Sequence, residues 1–189
     1  MNAPWAPPGA HTLCLNVGAG QFTQPIFLRL DPRVCTPPAE LARLAALTRE
    51  MYDGARVARG AHADARASIA RLEAAGGEGV DAFKRQVESI ALAPPIGGGR
   101  GGKDGGGRWA GAQPTPPTLD AASAALLAAA MGMQGADVAP TDIQIAACEL
   151  SRSRASVANT RWSALKTAGL AALNAKRKSA GLPPIVGHD

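Results

Sequence analysis

Large aromatic side chains are scarce in this sequence: three Trp, three Phe and one Tyr make up 4% of its 189 residues. A core built on rings is thereby excluded. Alanine fills most of the apolar quota, which suits thin helix-on-helix contacts. Cysteine is also sparse. Cys14, Cys35 and Cys148 are odd in number and far apart, which rules out a disulfide framework and a Cys-x-x-Cys zinc site. Free buried or half-buried thiols are expected instead. Long hydrophobic runs are missing: the longest, over 121–133, is too short and too alanine-rich to span a bilayer and reads as a core helix. The first nine residues have no positive n-region and no apolar h-region, so they do not form a signal peptide. Basic residues outnumber acidic ones only 20 to 15, a formal net charge of +5, and that mild excess requires no nucleic-acid partner. What is plentiful is punctuation, with 22 glycines and 15 prolines.

The first 34 residues carry a two-residue period. Leu13, Leu15 and Val17 alternate with Thr12, Cys14 and Asn16, and after Gly18-Ala19-Gly20 a second run places Gln24, Ile26, Leu28 and Leu30 opposite Phe27 and Arg29. Period two predicts half-buried strands, and the glycines supply the turn. Pro25 cannot donate to a ladder, so it belongs at a strand start or on an edge. The pair reads as a β-hairpin with one apolar face. Two strands alone are marginal in water, and nothing else in the chain reads as a strand. Either the helices cover that face, or the hairpin is the end of a β-sandwich whose other strands lie upstream; the second is expected, which makes the chain a fragment of a longer protein.

Beyond residue 35 the period becomes helical. Thr36-Pro37-Pro38-Ala39-Glu40 has the residues of a helix start, with Thr36 as the cap. Leu44, Met51, Ala58, Ala65 and Leu72 form one column of heptad spacing, and Leu41, Thr48, Ala55, His62 and Ile69 form another. Together they make the seam of a packed helix, with Arg43, Arg49, Arg56, Arg59, Arg66 and Arg71 facing water. Gly54 and Gly60 weaken it by about 1 kcal/mol each relative to alanine while permitting close approach, and Gly60 is a place for a break. Gly76-Gly77 stops it. A shorter helix follows over 80–92, with Val80, Phe83, Val87 and Ile90 on one face. Residues 96–117 read as a Gly/Pro-rich flexible loop. Thr118 caps a third helix running to about residue 134, with Leu119, Leu126, Leu127 and Met131 as its larger apolar groups. Thr141-Asp142 opens a last helix to about residue 179, with Leu150, Val157, Trp162, Leu165, Ala172 and Leu173 as its stripe. Gly181 and Pro183-Pro184 end it. The expected fold class is mainly α: an antiparallel helical bundle preceded by a β-hairpin. Its parts are 1–34 (hairpin), 35–95 (helical), 96–117 (loop) and 118–189 (helices completing the bundle).

Sites are weighed by context. Residues 97–103 fit the G-x-x-x-x-G-K core of a phosphate loop, but no strand precedes them and Asp104 stands where a Ser or Thr should bind magnesium. His11, His62 and His188 have no carboxylate or cysteine at ligand spacing, and His62 falls on the seam as a packing histidine. Arg152, Arg154, Arg161, Lys166, Lys176, Arg177 and Lys178 make the last helix basic, which reads as a solvated face. A nucleic-acid-binding helix is the alternative. A residual hydrolase site would need Asp53, Asp64 and His62 to converge, yet His62 and Asp64 are two apart on a helix and do not face each other. No catalytic, cofactor-binding or metal-binding residue is assigned, and no cofactor is expected.

Several motifs occur in a telling order. Pro7-Pro8-Gly9-Ala10-His11-Thr12-Leu13-Cys14-Leu15-Asn16-Val17 is followed by Gln24-Pro25-Ile26-Phe27-Leu28-Arg29-Leu30-Asp31-Pro32-Arg33. Met51-Tyr52-Asp53 comes next, then Leu173-Asn174 and Ala180-Gly181-Leu182-Pro183-Pro184. This order resembles the C-terminal region of bacterial sortilin-like β-propeller proteins, often labelled BNR-repeat or glycosyl-hydrolase-like. The resemblance spans nearly the whole chain apart from the glycine loop. His11 departs from the family's usual aromatic, and Cys14 and Cys35 replace polar or basic residues. The resemblance implies that the two strands close a small sandwich, that the helices form a tail, and that the parent proteins are exported. It also implies that any sugar chemistry belongs to a propeller upstream of Met1, so no catalytic residue carries over. The expected function is a non-catalytic C-terminal accessory or interaction region, partnered by its own propeller or by another protein. Exposed Leu13, Leu15, Ile26 and Leu28 and the helix seam are the surfaces expected to seek burial.

Overall fold

The computed structural model describes residues 3–77, 79–91 and 116–186. The glycine-rich stretch 96–107, the expected 96–117 loop up to residue 115, and His188 lie outside the described residues. Two antiparallel strands come first, β1 (Gly9–Val17) and β2 (Gly20–Leu28). The helices follow: α1 (Pro38–Ala75), α2 (Val80–Ala91), α3 (Leu119–Gly132), α4 (Asp142–Ala164) and α5 (Leu170–Ser179). A short 3-10 turn (Met133–Gly135) closes α3, and a π turn (Leu165–Gly169) joins α4 to α5 without a break in direction. The architecture is mainly α with a preceding hairpin.

The alanine and heptad pattern builds the bundle. Thr48, Met51, Ala55, Ala58, Ala65 and Leu72 are the buried residues of α1, and every one belongs to the two seam columns. Gly60 does not interrupt α1, because its backbone stays helical and no side chain has to be placed there. Contacts at 55 with 123 and at 54 with 126 run α3 antiparallel to α1. The pairs Glu50–Arg152 and Asp64–Lys166 advance together, so α4 runs in the direction of α1. Buried Leu119, Ala122, Leu126 and Ala130 of α3 fill the space between them.

Start and stop signals explain most boundaries. The Thr118 hydroxyl accepts from the Ala121 N–H at 3.3 Å, and Thr141 forms a reciprocal capping box with Gln144. At the far end Gly181 adopts φ +70°. The Leu182 N–H then reaches the Arg177 carbonyl at 2.9 Å, the glycine-terminated ending of a helix. Thr36 corrects its expected role. It does not cap α1: Pro37 occupies the cap position without a side-chain bond, and the Thr36 hydroxyl donates to the Asp137 carbonyl at 2.7 Å.

The stripe of the last helix also differs from expectation. Leu150 and Val157 are exposed, as is Ala172. The buried positions of α4 are Cys148, Ser151, Ala155, Ala158 and Trp162, spaced three and four apart with mostly small side chains. α4 lies close to its neighbours, and leucines at those positions would not fit. The π turn brings Gly169 against α2. A Cβ there would stand 2.8 Å from Phe83 Cε2 and 3.2 Å from Leu165 Cδ2, so glycine is what allows the Phe83 ring to seat.

Candidate interaction surface

Register sets the faces of the hairpin. His11 pairs with Ile26, Leu13 with Gln24, Leu15 with Phe22 and Gly9 with Leu28. Directly opposed residues share a face, so Leu13, Leu15, Val17, Phe22, Ile26 and Leu28 lie on one face about 30 Å long, at roughly 3.4 Å per residue, with the polar His11 and Gln24 among them. Nothing covers it. Leu13 and Leu15 are each 58% exposed, Val17 59% and Phe22 63%, whereas the core of the protein lies wholly within the helices. On the opposite face the Arg29 guanidinium sits 5.9 Å from the centre of the Phe27 ring. Phe22 is a member of the face that sequence reasoning missed, because the second strand begins at Gly20 rather than near Gln24; its period-two spacing with Gln24 and Ile26 was the available signal.

At its root the hairpin meets the bundle across a groove of about 590 Å³. Leu28 and Leu30 form one wall, Leu41, Leu44 and Met133 the other, and Trp5 lies along the rim. The Trp5 backbone N–H donates to Gln134 Oε1 at 2.6 Å, strapping the N-terminal arm to the end of α3. The apolar hairpin face thus continues through Leu28 into the groove.

The other sites weighed in the sequence separate cleanly. Cys14 and Cys35 are exposed and unlinked, and Cys148 is buried with its Sγ 3.9 Å from Met133 Sδ. Burial pushes the Cys148 thiol up, against a weaker pull from Arg152, so it stays protonated and inert at neutral pH. Asp53 pairs with Arg56 at 3.8 Å, and Asp64 with Lys166 at 3.2 Å and Arg71 at 3.8 Å. Eleven residues of α1 separate the two acids, about 16 Å along the axis, so they do not converge with His62. His62 is half-buried, and its Nε2 has no hydrogen-bond partner among the described residues. Among the described residues no three His, Cys, Asp or Glu side chains gather in a way that could hold a metal ion.

The basic helix is largely committed to the fold. Arg152 grips Glu50 with two bonds of 2.6 and 3.0 Å, which push its guanidinium up from the ordinary arginine value. Arg161 donates to the Pro117 carbonyl at 3.3 Å, Lys166 pairs with Asp64, and Arg177 is buried. Arg154, Lys176 and Lys178 carry no ion pair among the described residues. Three cations are a thin footing for a phosphate backbone. Among the described residues no helix is long and apolar enough to cross a membrane.

No family model matches the sequence, and no curated protein and no solved structure matches it either. The reading of function therefore rests on the surfaces themselves.

Proposed function

We propose that the chain is a non-catalytic accessory region of the sortilin-like, glycosyl-hydrolase-like propeller class, whose hairpin supplies two strands to a β-sandwich. The observation that carries this reading is the hairpin face on which Leu13, Leu15, Val17 and Phe22 are exposed and Ile26 and Leu28 half-buried. A two-stranded hairpin gains lasting order only when such a face is packed.

Area favours a tethered sheet over a free partner. Two nine-residue strands present a face of about 300 Å², from their rise and spacing. A stable association between separate proteins buries about 800 Å² per partner. A sheet joined to the same polypeptide needs less, because its effective concentration reaches the millimolar range. The helices then serve as a rigid abutment that fixes where the hairpin emerges.

Translating the DNA upstream of the Met1 codon in all frames tests this reading. The expected result is a continuation carrying the remaining sandwich strands and repeated propeller blades. A stop codon with no β-rich sequence before it overturns the proposal.

A further inference from the structure

The two edges of the hairpin are not equivalent, and the difference follows from its register. A two-residue turn, Gly18-Ala19 with Gly18 at φ +57°, closes the hairpin, so Val17 and Gly20 exchange both of their backbone bonds. Antiparallel pairs then alternate. Leu15–Phe22 and Leu13–Gln24 bond inward, while Cys14–Thr23 and Thr12–Pro25 turn their backbone groups outward. Pro25 thus has its missing N–H on the outer edge of β2, where it breaks the row of donors that an added strand needs. β1 has no such block. Ala10, Thr12, Cys14 and Asn16 present N–H and C=O groups along its outer edge. All four residues are exposed, and among the described residues no backbone group outside the hairpin bonds to them. Gly9–Val17 contains no proline and no Lys, Arg, Asp or Glu, so two of the devices that keep edge strands apart are missing.

We propose that the outer edge of β1 pairs with the same edge of a second copy of this chain, about a two-fold axis at Leu13, to make one four-stranded antiparallel sheet. The sequence of β1 suits its own copy. The register that uses all four outward residues sets Ala10 opposite the second copy's Asn16 and Thr12 opposite its Cys14, and exchanges about eight hydrogen bonds. A typical protein interface has roughly ten. Leu13 then meets Leu13 in a closely spaced pair, with about 4.5 Å between Cα atoms, and no like charges are brought together. The axis stands perpendicular to the sheet, so the Leu13 and Leu15 faces of both hairpins lie on one side. Four strands sharing an apolar face exceed the three needed for independent order, which a lone hairpin lacks. Antiparallel pairing also sends the two bundles to opposite ends of a sheet about 30 Å long. A single strand edge buries less than the standard interface of about 800 Å² per partner, so the dimer is weak and exchanges with monomer. The inference goes beyond the accessory role, because sheets extend across edges and stack across faces. Loss of the dimer leaves the upstream-sandwich reading standing, and an upstream stop codon leaves the dimer standing.

Sedimentation equilibrium of the full chain, in reductant so that no Cys14 disulfide contributes, tests this from micromolar to millimolar protein. Cys14→Pro removes an outward N–H from β1, and Thr23→Pro removes its counterpart directly across the ladder on β2; neither takes a bond from the hairpin itself. The unmodified chain is expected to show a monomer–dimer equilibrium. Cys14→Pro weakens it by about tenfold or more, since a bond is lost on each side of the axis, and Thr23→Pro changes it by less than about twofold. A chain that stays monomeric throughout overturns the proposal, as does a dimer that Cys14→Pro leaves intact. If both prolines abolish the dimer, Leu13→Lys and Leu13→Glu decide. Each alone is expected to be monomeric, and an equal mixture re-forms the dimer because opposite charges then meet across the axis. A mixture that stays monomeric overturns the proposal.

Discussion

Replacing Arg177 with alanine lowers the stability of the bundle by about 3 kcal/mol, at the upper end for charge-assisted bonds lost together with buried packing. Arg177 is only 3% exposed and has no carboxylate partner among the described residues. Its Nη1 donates at 2.7 Å to the Gly76 carbonyl, immediately past the last turn of α1, while Nε donates to the Pro183 carbonyl. The cation thus sits where the partial negative charge of a 38-residue helix ends. It also ties that end to α5 and to the closing segment. Truncation leaves the Gly76 and Pro183 carbonyls without these bonds, and removes the aliphatic stem that fills the junction. For a chain of this size the loss lowers Tm by about 6–12 °C, at roughly 2–4 °C per kcal/mol. Thermal unfolding followed by circular dichroism at 222 nm reads the shift. Arg177→Lys, which keeps the charge without the fork, falls between the two.

Leu126 and Gly54 respond jointly rather than separately. Leu126 is buried on α3, and a Cβ placed at Gly54 would stand 3.3 Å from Leu126 Cδ1 and 3.6 Å from Cδ2. Leu126→Ala costs about 3 kcal/mol, as expected for a large-to-small change in a close-packed interior. Gly54→Ala alone is near neutral: the gain in helix propensity, about 1 kcal/mol, is offset by pressure on the leucine methyls. In the Leu126→Ala background that pressure is gone, and Gly54→Ala returns about 1 kcal/mol. The coupling across the cycle is therefore about 1 kcal/mol and favourable to the double variant. Chemical denaturation of the four chains measures it, and additivity would mean that α1 and α3 are not in contact at this point.

Much of the bundle was legible because α1 encodes its contacts by spacing. The heptad columns through Met51 and Ala55 contain all of its buried residues, and Thr118, Thr141 and Gly181 mark ends through local chemistry that tertiary packing did not displace. Thr36 is different, since its hydroxyl reaches Asp137 about 100 residues away, a partner no local pattern discloses. On α4 the sequence invites choosing Leu150 and Val157 as the stripe, because they are large. The close approach of α1 and α3 instead selects the smaller Ser151, Ala155 and Ala158, and leaves the large residues outside. Arg177 hides among the cations of the last turn, where only the return of the chain through Pro183 shows why it is buried. The hairpin was readable from its alternation, which placed Leu13, Leu15 and Val17 on the face where the structure leaves them exposed.

Hydrogen exchange on the intact chain tests the reading of the hairpin most directly. If the hairpin is a docking surface outside the cooperative core, its amides exchange through local opening, because two uncovered strands are marginally stable. The amides of Leu15 and Phe22 are then expected to exchange orders of magnitude faster than those of Ala55, Ala58 and Ala65 in α1. Protection of the hairpin amides equal to that of α1 would contradict the reading, for it would make the hairpin part of the unit that unfolds as a whole.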